Sequence, residues 1–159
     1  IVLPYFSGER TPIHDPKARG TIFGLDLTHN RGDIFRAFLE GIAMGTAQVF
    51  ETYEAIGQKP RKVMAVGGGT KNNIWMQATS DFSKIDQVVS EKSTGASYGN
   101  AFLAALAVGA VSQRDITRWN PPLSKIKTQH STLHAEKNKL FRQLYESSKE
   151  IAHAVADST

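Results

Sequence analysis

The 159-residue chain contains no cysteine, which excludes disulfide bridges and thiolate metal sites alike. A reducing cytoplasm suits that composition. No apolar run approaches the roughly 18 residues of a spanning helix, so neither a membrane segment nor a signal peptide is expected. Long runs of one charge are also missing. Lys plus Arg total 19 against 15 for Asp plus Glu, a net charge of +4 spread along the chain. That balance tolerates an anionic ligand but builds no nucleic-acid face. Neither G-x-G-x-x-G nor G-x-x-x-x-G-K-[ST] occurs. The histidines (His14, His29, His130, His134, His153) are scattered and no serine sits on a nucleophile elbow, so a serine–histidine–acid triad is not supported.

What is present is an ordinary globular composition, 40% hydrophobic, in a chain long enough for one domain with a real core. It begins at Ile1 and runs directly into Val2-Leu3-Pro4-Tyr5-Phe6. A fragment of a longer protein is the simplest expectation.

The most informative stretch is Lys62 to Gln77. Its apolar run Val63 to Val66 meets Gly67-Gly68-Gly69, and Asn72-Asn73 then open a periodic segment. This predicts a buried strand, a tight turn and a helix over 72–82. Bare backbone lets a ligand approach, and the unpaired N–H groups of the helix start favour a polar or anionic group. On these residues alone, two readings stand: a ligand turn, for example for a nucleotide, or a purely structural βα turn.

Around it, Val2–Phe6 and Ala18–Leu25 read as two strands that pair with each other, separated by a polar loop with Pro12 and Pro16. Within that loop, Glu9 and Arg10 suit either a charged ligand or an exposed ion pair. Asn30 or Asp33 supplies helix-start chemistry, and apolar residues from Ile34 to Ile56 recur at three- and four-residue spacing, predicting one long helix to about Ala55 that stops at Gly57. Gly41 and Gly45 inside it read as packing glycines. A strand is expected over 86–90. Glu91 to Gly95 lead into a nearly all-apolar helix over 96–108, expected to be buried between layers, with Gly95 and Gly99 admitting a close neighbour. Residues 113–119 read as a short helix stopped by Pro121-Pro122, and 123–132 as an extended connection. A last amphipathic helix over 133–156 should dock Leu140, Phe141, Leu144, Tyr145, Ile151 and Val155 and leave Lys137, Lys139, Arg142 and Lys149 in water. The element order predicts an α/β layer fold with a small sheet packed against several helices. His130 and His134 lie four apart without the glutamate of a zinc-protease pattern, so no metal site is assigned. Asp15, Asp26 and Asp33 read as turn and cap residues.

Several blocks occur in order: Tyr5-Phe6-Ser7-Gly8-Glu9-Arg10-Thr11-Pro12, Asp15-Pro16-Lys17-Ala18-Arg19-Gly20 with Phe23-Gly24-Leu25, Leu39-Glu40-Gly41-Ile42-Ala43, Gly67-Gly68-Gly69 with Asn72-Asn73 and Trp75-Met76-Gln77, and Gly95-Ala96-Ser97-Tyr98-Gly99-Asn100-Ala101. From about Leu3 to Gly109 this series resembles the C-terminal domain of the FGGY family of carbohydrate kinases, closest in style to its xylulokinase-like members. The tail fits in kind only.

The resemblance implies the C-terminal half of a ribonuclease-H-like, actin-like ATPase fold, with residues 1–159 as a single nucleotide-binding domain. It implies a cytoplasmic kinase that transfers the γ-phosphate of ATP, with Mg²⁺, to a sugar hydroxyl, in particular of a pentulose such as xylulose. Carried over residue by residue, Gly67, Gly68 and Gly69 meet the nucleotide through their backbones and Asn72 or Asn73 meets the base, since an amide both donates and accepts. Trp75 can stack on adenine, although a tryptophan at that helical position more often faces the core. The family's catalytic aspartate, most sugar contacts, the β- and γ-phosphate motifs and most metal contacts belong upstream of this sequence. No catalytic residue is assigned here, and the chain alone is expected to be inactive. Expected partners are ATP or ADP and, through the other domain, the sugar; neither nucleic acid nor a membrane is expected, and a homodimer stays open. The alternative is a non-catalytic actin-like interaction module binding through the Lys17/Arg19 loop or the Gly41/Gly45 helix face.

Overall fold

The computed structural model describes residues 1–92 and 95–158. Ser93 and Thr94, expected in the approach to the apolar helix, lie outside the described residues.

The first two strands are shorter than expected. β1 (Val2–Leu3) pairs antiparallel with β2 (Thr21–Ile22) in the register Val2↔Ile22 and Leu3↔Thr21. Ile1 and Phe23 extend the ladder through Phe23 N–H to Ile1 O at 2.9 Å. Pro4 has no N–H to donate, and the chain leaves the strand there.

The long helix α1 (Arg31–Ala55) starts where its cap chemistry dictates. Asn30 Oδ1 accepts from Gly32 N at 2.7 Å, and Asp33 Oδ2 accepts from Asn30 N at 2.9 Å. Both residues therefore act, in a reciprocal capping box. Gly41 is buried against β1, where an added Cβ would run into the Val2 carbonyl oxygen. It is a packing glycine as expected. Gly45 is not, because nothing lies within 4 Å of the place its Cβ would occupy.

β3 (Val63–Ala65), β4 (Gln87–Ser90) and β5 (Pro122–Ile126) form a sheet in that order. β3 and β4 are parallel, with Val63↔Gln87 and Ala65↔Val89 opposed. β5 runs antiparallel to β4, a strand inside what the sequence suggested was an extended connection. Leu123 and its neighbours carry little apolar alternation, so their strand state is set by the β4 ladder and not by burial; four of its five residues are exposed. β3 is an edge strand. Met64 and Val66 are 45% and 59% exposed, so the apolar run is half open rather than buried.

α2 (Asn73–Ser83) crosses between β3 and β4 and packs on α1. Gln87 fastens α2 to the sheet from below, its Nε2 donating to Met76 O and Ser80 Oγ, each at 2.9 Å. α3 (Ala96–Ala107) corrects another expectation. Only Phe102 is buried in it and Leu103 is 60% exposed. Its anchoring contacts are aromatic, Tyr98 and Phe102 against Trp119 at 5.6 and 5.4 Å between ring centres. An all-apolar sequence states that a helix can be covered, not that this chain supplies the cover. Gly99 likewise has nothing within 4 Å of its Cβ position. The short helix breaks into a 3₁₀ turn, Gln113–Asp115, followed by the single-turn α4 (Ile116–Trp119).

α5 (Thr132–Asp157) closes the core. Leu3, Tyr5, Ala18, Ala43, Met44, Ala47, Ala78 and Phe82 meet Phe141 and Tyr145. Tyr5 stands edge-on to both rings, at 6.0 and 5.9 Å. Leu140, Ile151 and Val155 instead remain 49%, 68% and 48% exposed, because the docking stripe runs through Asn138, Phe141 and Tyr145. Lys137 and Arg142 are not free in water either. They donate to Glu40 Oε2 and Glu51 Oε1 on α1, each at 2.7 Å.

Candidate nucleotide turn

The chain leaves β3, passes Gly67 and enters a 3₁₀ turn, Gly68–Lys71, before α2 begins. Gly67 has φ +91° and ψ −177°, a region that essentially only glycine occupies. Its carbonyl ties the turn together, accepting from Thr70 Oγ1 at 2.8 Å and Thr70 N at 3.2 Å. Asn72 N then donates to Gly69 O at 3.0 Å. Asn72 is the N-cap of α2, with Oδ1 accepting from Trp75 N at 3.0 Å. That bond satisfies one of the helix's free N–H groups and leaves the Asn72 amide nitrogen as its available donor.

The five residues singled out from sequence fall into two groups. At Gly67 and Gly68 nothing lies within 4 Å of a would-be Cβ, so the backbone there is open to an approaching molecule. Asn72 stands beyond Gly69, Thr70 and Lys71, at the helix start. Gly69 faces the protein, with a Cβ standing 2.8 Å from Trp75 Cζ3. Trp75 is half-buried, its ring against Gly69. Asn73 lines a cavity of about 320 Å³ between α1 and α2, together with Arg36, Glu40, Gln77, Asp81 and His134.

His130 and His134 have other employment. Their ring centres lie 5.8 Å apart, but His130 Nδ1 is 2.8 Å from Asp81 O, and His134 Nδ1 accepts from Ser131 N at 3.0 Å at the start of α5. Among the described residues no group of three or more His, Cys, Asp or Glu side chains is arranged to hold a metal ion. No described helix is long and apolar enough to cross a membrane.

One polar cluster had no sequence signal beyond a turn role for Asp15. Asp15 is 6% exposed and accepts from Tyr145 Oη at 2.8 Å, while His153 Nε2 lies 2.8 Å from the same oxygen. Lys17 N donates to its Oδ1 at 3.0 Å. Burial pushes this carboxyl up, but the bonds from His153, Tyr145 and the Lys17 amide outweigh it and hold it at about 2. Tyr145 is pushed up to about 12, by burial and by the carboxylate it faces. These partners are 130 and 138 residues apart in the chain, so no local pattern announces them.

Residues 1–108 match the family model described as the FGGY family of carbohydrate kinases, C-terminal domain. A xylulose kinase of Bacillus subtilis is 37% identical over 109 residues, 69% of this chain and 22% of that protein. Gluconokinase and glycerol kinase sequences match as well. The crystal structure of xylulose kinase from Rhodospirillum rubrum superposes with a TM-score of 0.81 at 29% identity, over 96% of this chain and 31% of its own. That of Plasmodium falciparum glycerol kinase with ADP gives 0.75 at 28%, over 96% and 30%. The superpositions include the tail beyond residue 108. The chain thus spans between about a fifth and a third of the length of these proteins. A mixed α/β domain, five ordered sequence blocks and a family model covering two thirds of the chain agree: the chain belongs to the FGGY family of carbohydrate kinases, matching its C-terminal domain over residues 1–108.

Proposed function

We propose that this chain forms the adenosine-binding wall of an ATP-dependent sugar kinase, through the backbone of Gly67 and Gly68 and the amide of Asn72. The observation that carries the proposal is the open backbone at Gly67 and Gly68 directly before the start of α2. Unpaired helix N–H groups and the positive dipole end favour an anionic or polar group there. Gln87 holds α2 on the sheet from beneath, so the turn is presented by a fixed element, as positioning chemistry requires. The relative solved with ADP supports a nucleotide as the occupant.

Phosphoryl transfer needs a base for the attacking hydroxyl and charge stabilisation around the transferred group. This chain supplies neither in our reading; it orients the nucleotide, and Mg²⁺ enters with the phosphates and is completed by the other wall of the cleft. A pentulose of the xylulose type is the proposed acceptor, supported by the prevalence of xylulose kinases among the similar proteins. The test is ATP-dependent phosphorylation of xylulose, gluconate and glycerol by the protein that carries this domain, with and without Gly68→Val. Xylulose should be preferred, and the valine should raise the KM for ATP far more than that for the sugar. Turnover by residues 1–159 alone would show that the catalytic base has been misplaced.

A further inference from the structure

At the end of β3 opposite the glycine turn, an open cavity of about 560 Å³ gathers Lys59, Arg61, Lys62, Lys84 and Lys125 around one carboxylate, Asp86. Separate elements deliver them: Arg61 and Lys62 lead into β3, Lys84 closes α2, and Lys125 stands on β5 opposite Val88 of β4. Asp86 is already satisfied. Lys125 Nζ lies 2.8 Å from its Oδ2 and Thr128 N donates to Oδ1 at 2.9 Å, and these bonds hold the carboxyl below its ordinary range. Lys59 is paired with Glu54 at 2.8 Å. Arg61, Lys62 and Lys84 have no carboxylate partner among the described residues.

A cation at the end of α2 is explained by the helix dipole, which accounts for Lys84. It does not account for Arg61 and Lys62, whose mutual repulsion a solvated surface could relieve by dispersing them. Like charges converging in a concavity focus a positive potential and concentrate anions. The volume is that of a small-molecule site. We propose that this cavity binds a small phosphate-bearing anion at a site separate from the glycine turn.

Lys84 has φ +60°, and asparagine tolerates that backbone, so Lys84→Asn removes the charge without adding strain. The experiment is calorimetric titration of the protein carrying this domain with inorganic phosphate, pyrophosphate and ribose 5-phosphate, in about 0.15 M NaCl to screen diffuse attraction. The expected result is saturable binding, weakened about tenfold or more by Lys84→Asn and by Arg61→Gln with Lys62→Gln, and unchanged by Gly68→Val. Preference for pyrophosphate identifies free phosphates as the ligand, and preference for ribose 5-phosphate a phosphorylated sugar; either supports the site. ADP binding in the cavity variants shows that they remain folded. Heats equal to those of salt at matched ionic strength, or phosphate binding lost in Gly68→Val but kept in the cavity variants, would overturn the proposal.

Discussion

Gly69 lies against the ring of Trp75, so closely that a Cβ there would stand 2.8 Å from Cζ3 and 3.2 Å from Cε3. The third glycine of the run is thus explained by the protein itself, while the first two face open space. This separates stability from binding within three consecutive residues. Gly69→Val should destabilise the fold by about 1–3 kcal/mol through overpacking, with a changed Trp75 emission. In a Trp75→Ala background most of that cost should vanish, and a double-mutant cycle by urea unfolding measures the coupling.

Gly67 makes a different demand. Any L-residue at φ +91° is strained, so Gly67→Ala should cost about 1–3 kcal/mol although its Cβ meets nothing. The same substitution at Gly68 should be nearly neutral for stability. Thermal unfolding of the two alanine variants distinguishes a backbone requirement from a steric one.

Within α1, Gly41 and Gly45 should respond in opposite directions. Gly45→Ala adds a methyl group in open space inside a helix and should stabilise by about 0.5–1 kcal/mol. Gly41→Ala forces β1 off the helix and should destabilise, because Val2 O occupies the position. Denaturant midpoints of both variants check this.

Asp15 should make stability sensitive to acid. Its carboxyl is held at about 2 in the folded protein, below the roughly 4 of an unfolded aspartate. The charged form therefore stabilises the fold fully above about pH 4, and that contribution is lost as the pH falls through about 2. Asp15→Asn should lower stability at pH 7 by about 1.5–3 kcal/mol and flatten the profile between those values. Unfolding curves at a series of acidic pH values, wild type against variant, give the result.

The parts of this fold that could be read from sequence were local. Asn30 and Asp33 announced the start of α1, and the glycine run announced a βα turn, because caps and turns depend on residues three or four apart. The ordered blocks, not the turn alone, pointed to the family. What sequence could not show was burial decided at long range. The apolar α3 is open, β5 becomes a strand only through β4, and α5 docks along Asn138, Phe141 and Tyr145 while Ile151 faces solvent. Asp15 looked like a turn residue and is one, through Lys17 N, but Tyr145 and His153 reach it from the far end of the chain. At the candidate site the residue types were legible, and which of them face outward was not.

The measurement that bears most directly on the central claim is titration of the protein with ATP while following the backbone amides of Gly67, Gly68 and Asn72 and the Trp75 indole. Saturable shifts centred on Gly67, Gly68 and Asn72, abolished by Gly68→Val in a variant that unfolds like wild type, are the predicted result. Saturable ATP binding that leaves those amides unmoved, or that survives Gly68→Val unchanged, would contradict it.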